Sequence, residues 1–193
     1  MLKQITNDSN IWTYNTITAV LITGATGKRG GSLIRNLIEK NAPFQILAVT
    51  RNIQSPSAQT LAQKWPKLTL VEGNLDDPTA VFKNARVKTS APIWGLYTVD
   101  PRNDSERRQG IALVDESLKQ DVKCLVYKPV DRGGDASMSN LTKVPRFIFK
   151  HEIEKHSIEQ SKGSGMDWTI LRPTAFCENL TPDFFGKVFA TAW

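Results

Sequence analysis

Three evenly spaced glycines separate a predicted strand from a predicted helix. Gly24, Gly27 and Gly30 follow a β-branched apolar run at 17–22 and precede apolar residues that recur at helical spacing over 33–38. In such a unit the first glycine permits a tight turn, the second lets the backbone approach a pyrophosphate, and the third allows close helix packing. The pattern favours a dinucleotide-binding turn, with a purely structural turn as the alternative.

Strand and helix signals alternate along the rest of the chain. We predict strands at 17–22, 44–50, 68–71, 93–99, 122–127 and 168–171. We predict further helices that open at Ser55 and Asp77, each followed by proline, and longer ones over about 105–120 and 146–162, with a loop at 129–145. The core face of the 105–120 helix is expected to contain Ile111, Leu113, Val114 and Leu118.

Strands that alternate with helices pair in parallel through right-handed crossovers. The expected fold is therefore α/β, with a doubly wound parallel sheet. Ligands of such sheets bind beyond the carboxyl ends of the strands, at the point where the strand order reverses.

The end of the second predicted strand bears on the choice of cofactor. An acidic residue there hydrogen-bonds the ribose 2′-hydroxyl of NAD, whereas an arginine accommodates the 2′-phosphate of NADP. Arg51 stands 21 residues after Gly30 and has no acid close by in the sequence. It favours NADP(H), with a solvated surface arginine as the alternative.

The composition is that of an ordinary globular protein, with 193 residues, 40% hydrophobic, 23% charged and a net charge of +6. The basic residues are scattered, and the pair Arg107 and Arg108 is expected on a solvated helix face, so direct nucleic-acid binding is not expected. No apolar run approaches the length of a membrane span. Cys124 and Cys177 lack metal-ligand spacing, which favours a reducing compartment. We expect a cytoplasmic location, with the nucleus left open, and a frayed tail at 1–16.

Several segments, taken in order, resemble the NmrA-like proteins, which are atypical short-chain dehydrogenase/reductase relatives. They are TGATGKRG, VTRN, VEGNLDDP, RRQGIALVDESLKQDVKCLVYKPVDRGG, FKHEIEKHSIEQS and WTILRPTAFCEN. The resemblance covers about 18–180 and implies a Rossmann domain that prefers NADP(H), here 17–176. In the family, a smaller C-terminal subdomain usually closes over a substrate cleft. Some members are reductases, and others bind the cofactor and act by binding other proteins.

The resemblance also implies which residues contact the cofactor. It assigns the phosphates to the glycine turn, which comprises Gly24, Ala25, Thr26, Gly27, Lys28, Arg29 and Gly30, and the 2′-phosphate to Arg51. Asn74 and Leu75 match an acidic–Leu pair beside the adenine, with Asn in the acid's place. Thr98 and Val99 fall beside the expected cofactor, and Pro173, Thr174 and Phe176 match a loop on the nicotinamide side.

The residues that would catalyse a reaction are less clearly marked. Ordinary short-chain dehydrogenases use a Tyr with a Lys four residues later, and none of the three tyrosines has one. Lys150 matches a lysine of the family. It is expected to hydrogen-bond the ribose or to act as a proton donor or base, and a surface lysine is the third alternative. The chain is therefore either an NADP(H)-dependent oxidoreductase of an unknown small organic substrate, or a redox-sensing regulator with a protein partner.

Three expectations concern the rest of the chain. His151 and His156 are one residue too far apart for the zinc pattern H-E-x-x-H, so no metal site is expected and both are assigned to a solvated helix face. The segment 131–134 is either a cleft loop or a turn. Twenty residues follow Pro173, so the substrate subdomain is expected to be largely missing, with 177–193 as its remnant. An apolar end of this kind fits a truncated, inert product or a surface covered by a partner; a homodimer is also possible.

Overall fold

A computed structural model describes residues 17–99, 105–140 and 142–174, together with the isolated positions 182, 187 and 191. The expectations for 1–16, Phe176, Cys177 and nearly all of 177–193 lie outside the described residues. The strands are β1 Thr18–Ile22, β2 Phe44–Thr50, β3 Thr69–Glu72, β4 Ile93–Val99, β5 Cys124–Lys128 and β6 Asp167–Ile170. The helices are α1 Lys28–Glu39, α2 Pro56–Lys64, α3 Pro78–Lys88, α4 Glu106–Lys119 and α5 Pro145–Ser161.

The six strands form one parallel sheet in the order β3-β2-β1-β4-β5-β6. This confirms the predicted α/β fold with a doubly wound sheet. The order reverses between β1 and β4, so the carboxyl ends of these two strands border the crevice where such folds bind ligands. We call the side of the sheet at which all six strands end the carboxyl edge.

The predicted strand boundaries hold to within two residues, and the shift at the start of β5 has a local cause. Strand β5 begins two residues later than predicted because Val122 N donates to Ser117 O, at 3.0 Å, and completes the end of α4. The predicted loop at 129–145 contains a short 3₁₀ helix, Gly134–Met138. Two helix starts follow the predicted pattern, since Ser55 Oγ accepts from Ala58 N and Asp77 Oδ1 accepts from Ala80 N.

The sheet lies between two layers of helices. Helices α1 and α2 pack on one face with β1 and β2, while α3 and α4 cover the other face. Helix α5 packs against α4, and the approach is so close that a Cβ at Gly110 would lie 2.5 Å from Ile153 Cδ1. No helix among the described residues is long and apolar enough to cross a bilayer.

Three of the four residues predicted for the core face of α4 contact the core. Leu113 and Val114 are buried, and Leu118, although partly exposed, packs against the same core, whereas Ile111 is only partly buried. The buried residues of α4 also include Glu106, which lies against α5, and Glu116, which bonds to Thr79 on α3. Helical spacing alone does not show which flank of a helix a neighbouring helix will cover.

Candidate functional site

The reversal point of the sheet is held together by a buried threonine pair. Thr23 follows β1, and its Oγ1 donates to Thr98 Oγ1 on β4 at 3.1 Å, while Val99 N donates to Thr23 Oγ1 at 3.2 Å. The Thr98 hydroxyl therefore lies in the buried contact between the ends of β1 and β4. Val99 packs over the following turn, where a Cβ at Gly24 would lie 3.1 Å from Val99 Cγ2.

The glycine turn has the conformation that its sequence requires. Gly24 has φ +62°, which residues with a Cβ rarely adopt. Gly27 N donates to Gly24 O at 3.0 Å and closes the turn. A Cβ at Gly30 would lie 2.8 Å from the carbonyl carbon of Gly24 and 2.9 Å from Ala25 Cα. The third glycine therefore lets α1 approach the backbone of the turn itself.

The start of α1 suits an anionic ligand. Gly27 is the N-cap, no side chain caps the helix, and its first turn contains no acid. Since Gly31 N donates the first intrahelical bond, to Gly27 O, the N–H groups of 28–30 precede the hydrogen-bond ladder of α1. These N–H groups and the positive end of the helix dipole form a site for a phosphate group.

The side chains of the turn divide between the surface and the core. Thr26 and Lys28 are exposed at the surface, whereas Ala25 is buried in the core beneath α1. Arg29 is half-buried, and its positive charge acts on the Tyr97 hydroxyl of β4. Burial nevertheless raises the pKa of Tyr97, with Arg29 opposing it.

The loop after β2 presents Arg51 to solvent. Its neighbour Asn52 fixes the backbone, because its Oδ1 accepts from Gln54 N at 2.7 Å and its carbonyl oxygen accepts from Ser55 Oγ at 2.8 Å. Strand β2 lies beside β1, so Arg51 stands at the same edge as the glycine turn. An exposed guanidinium on a fixed loop is suited to binding a phosphate.

In the loop after β3, the two predicted site residues also contribute to the structure of the protein itself. Asn74 Oδ1 accepts from Asp76 N at 3.1 Å, and Leu75 packs against the core. Gly73 N donates to Thr50 O at 2.9 Å, which joins this loop to the end of β2. Hydrogen bonds from Gln109 and Arg108 hold the pKa of Asp76 below its ordinary value.

Lys150 is not the surface lysine that the sequence left open. It lies on α5, and its Nζ bonds to the carboxylate of Glu106 in the first turn of α4. The side chain of Glu106 is 1% exposed and that of Lys150 is 17% exposed. The pair joins the starts of two helices that follow β4 and β5 at the carboxyl edge.

The segment 131–134 is a loop held by hydrogen bonds around a buried arginine. Arg132 Nη2 donates to Ser137 O at 2.7 Å and to Glu154 Oε2 on α5 at 3.2 Å. The side chains of Arg132 and Glu154 are 1% and 0% exposed. Asp131 Oδ1 accepts from Gly134 N at 3.0 Å, and N–H groups of this turn, that of Gly133 first, lower the pKa of Asp131.

The same glutamate also fixes the chain after β6. Arg172 Nε donates to Glu154 Oε1 at 2.9 Å, and this hydrogen bond raises the pKa of Arg172. Pro173 O accepts from Asp131 N at 3.0 Å, so the predicted nicotinamide-side residue Pro173 lies against the loop after β5. Thr174 follows it and is exposed. Phe176, the third residue of that prediction, lies outside the described residues.

The solvated face predicted for the two histidines is wrong. His156 Nε2 bonds to Asp115 Oδ1 at 2.6 Å, and Arg132 Nη2 donates to His151 Nδ1 at 2.9 Å. A guanidinium only donates, so His151 Nδ1 accepts. Burial, followed by the charge of Arg132, lowers the pKa of His151. Among the described residues, no three His, Cys, Asp or Glu side chains are grouped to hold a metal ion.

Sequence reasoning missed four residues that build this edge: Thr23, Glu106, Glu154 and Arg172. Glu106 has the sequence context of an ordinary acid in a first helical turn, which the helix dipole alone would favour. Nothing in the sequence marks a glutamate as buried. The signal that was available is the run of charged residues on α5, too many for one solvent-facing stripe.

Comparison with known proteins identifies the family of this chain. The sequence pattern of the NmrA-like family matches residues 16–187. The chain belongs to the NmrA-like family. Two NmrA-like family domain-containing oxidoreductases, FrzB from a Cladobotryum species and ptmS from Penicillium ochrochloron, are 25% and 28% identical to it. These alignments cover 88% and 83% of this chain but 50% and 48% of the relatives, so the chain spans about half the length of the curated NmrA-like relatives it matches.

A solved structure shares the fold. The NADPH-dependent quinone oxidoreductase of Escherichia coli, solved with NADPH, matches with a TM-score of 0.65 at 22% identity. The match covers 83% of this chain and 50% of that one. At this identity the likeness demonstrates the doubly wound α/β fold of the NmrA-like chain.

Proposed function

We propose that this chain binds NADP(H), with the diphosphate at the glycine turn and the 2′-phosphate at Arg51. The observation that carries the proposal is the start of α1, where the N–H groups of 28–30 precede the hydrogen-bond ladder and the first turn has neither a capping side chain nor an acid. A helix start of this kind attracts phosphate through its N–H groups and its dipole. Lys28 and Arg29 add positive charge beside it.

We assign the other predicted residues to different parts of the cofactor, on the two sides of the reversal point. Asn74 and Leu75 would lie beside the adenine, with Thr98 and Val99 contributing backbone at the end of β4. We assign the nicotinamide side to Pro173, Thr174 and Phe176, and Lys150 to a hydrogen bond with the ribose. These assignments place the phosphates beside the exposed cations Lys28 and Arg51 and the reactive ring beside the segment that follows β6.

We further propose that the protein is an oxidoreductase of a small organic substrate. Two relatives are named as oxidoreductases, and a protein with the same fold is a quinone oxidoreductase. The bound cofactor would supply a hydride. The residues of this chain would bind and orient it, while Lys150 holds the ribose or provides a proton.

Cofactor choice is tested by titrating the purified chain with NADPH and NADH, using Arg51→Ala and the control Arg35→Ala. Arg35 is exposed on α1 and has no assigned role. Loss of the charged hydrogen bonds at Arg51 is expected to weaken NADPH binding about tenfold or more and to leave NADH binding unchanged. Arg35→Ala is expected to bind both as the parent chain does. Equal affinity of the parent chain for the two cofactors, or no binding of either, contradicts the proposal.

Turnover is tested separately, by following NADPH oxidation with a panel of quinones and conjugated ketones. Oxidation that is lost in Lys150→Ala would support an oxidoreductase. Tight NADPH binding without oxidation of any panel member would favour the redox-sensing regulator instead. The two experiments therefore separate the cofactor proposal from the enzyme proposal.

A further inference from the structure

A buried carboxylate occupies the first turn of α4. The side chain of Glu106 is 1% exposed, and one of its oxygens bonds to Lys150 Nζ. The two arginines that follow it in the chain, Arg107 and Arg108, bond to other carboxylates and are largely exposed. Glu106 is thus buried against α5, while the side chains of its two cationic neighbours stay largely exposed.

The second oxygen of this carboxylate is left unsatisfied. Among the residues that the structure describes, Glu106 Oε2 and Gln109 Oε1 are the buried side-chain polar atoms without a hydrogen-bond partner. An unpaired buried acceptor is costly, and a buried ion pair contributes little to stability compared with apolar packing. Protein stability therefore does not account for a glutamate at this position. Its bond to the Lys150 ammonium does account for it.

The packing of the two helices fixes the position of Glu106 relative to Lys150. Gly110 lies one turn after Glu106, and its Cα faces Ile153, one turn after Lys150, without room for a side chain between them. Both helices begin at the carboxyl edge, since α4 follows β4 and α5 follows β5. The ammonium of Lys150 is therefore held at the edge that contains the glycine turn.

We propose that Glu106 is the positioning residue for Lys150, holding its ammonium at the carboxyl edge so that it can bind the ribose of the cofactor. This inference rests on the proposed function for its ligand, but the ion pair itself can be tested without one. Glu106 acts only through Lys150, so removing it has no further effect on the ligand once Lys150 is gone.

The test uses Glu106→Gln, Lys150→Met, the double variant and Glu116→Gln. Glu116 is a matched control, because it is also buried on α4 but accepts from Thr79 Oγ1, at 3.0 Å, and Gln120 Nε2, at 2.8 Å, and its ion pair is with the exposed Lys119 of its own helix, at 3.9 Å. NADPH affinity is measured by titration, and melting temperatures establish that each variant is folded. Labelling of Lys150 by trinitrobenzenesulfonate, located by mass spectrometry, is measured without cofactor.

Glu106→Gln and Lys150→Met are each expected to weaken NADPH binding about tenfold, and the double variant to match Lys150→Met, because the effect passes through one charged hydrogen bond. Lys150 labelling should rise about threefold or more in Glu106→Gln and stay unchanged in Glu116→Gln, since only the first removes the charge of the carboxylate that Lys150 Nζ bonds to. Independent losses that add in the double variant would overturn the inference.

The labelling separates the two proposals. If the parent chain does not bind NADPH, the proposed function fails, and labelling still decides whether Glu106 holds Lys150. Unchanged Lys150 labelling in folded Glu106→Gln would overturn the positioning role even where NADPH binds tightly.

Discussion

The two halves of the carboxyl edge are built by different means. On the β1–β3 side, the loops are shaped by glycine conformations and by hydrogen bonds between near neighbours in the chain, including those to the Asn52 and Asn74 side chains, and the cationic Arg51 and Lys28 stay exposed. On the β4–β6 side, side chains of α5 hold the loops, through Lys150 to Glu106 and through Glu154 to two arginines. Under the proposed function, the first half offers N–H groups and exposed cations to the phosphates, and the second half holds a lysine in a fixed position beside the ribose.

The largest effect on stability is expected on the β4–β6 side. Glu154→Ala leaves the guanidinium of Arg132 buried without its carboxylate and releases Arg172 as well. We expect a loss of about 3–5 kcal/mol in the free energy of unfolding, measured by urea denaturation. The control is Glu159→Ala, which breaks an exposed pair with Lys155 on the same helix and should cost about 0.5 kcal/mol or less. Equal losses in the two variants would show that the buried network is not what holds this half together.

The next largest effect on stability is expected on the β1–β3 side, where two adjacent glycines serve as test and control. Gly30→Ala would press its Cβ into the backbone of Gly24 and Ala25, and overpacking of this kind costs about 1–3 kcal/mol. Gly31→Ala meets only Ala25 O, at 3.5 Å, and should stabilise α1 by about 0.5–1 kcal/mol. Urea denaturation of both variants gives the comparison. A harmless Gly30→Ala would mean that the turn does not require the close approach.

The smallest effect is a pH dependence carried by His151. Its pKa in the folded chain lies below the ordinary value of 6.5, because burial and Arg132 disfavour the imidazolium. As pH falls through 6.5 the unfolded chain takes up this proton before the folded chain does, so stability falls with pH until the lowered pKa is reached. In His151→Gln the urea midpoint should change less between about pH 7.5 and about pH 5.5. The Asp131 carboxyl, whose pKa is lowered, does not titrate in that range.

An unchanged pH dependence in His151→Gln would contradict this account. It would mean that burial and the charge of Arg132 do not disfavour the His151 imidazolium in the folded chain.

The strand boundaries could be predicted because they depend on nearby residues. Phe44–Thr50 and Ile93–Val99 were predicted to the residue, since each is a short apolar run flanked by residues that break strands. The caps Ser55 and Asp77 act within three residues of their own position. Thr98 could be placed at the end of β4, but the hydrogen bond of its side chain to Thr23, 75 residues away, could not be predicted.

The sequence by itself determined the strand–turn–helix unit at Gly24–Gly30 and the alternation that makes the sheet doubly wound. Both follow from conformational preferences that act over a few residues. Only the tertiary structure decided which charges are buried together: Lys150 and Glu106 are 44 residues apart, and Glu154 meets arginines 22 and 18 residues away. Whether a charge faces water or another charge depends on which helix packs against it, and that is settled when the whole sheet has formed.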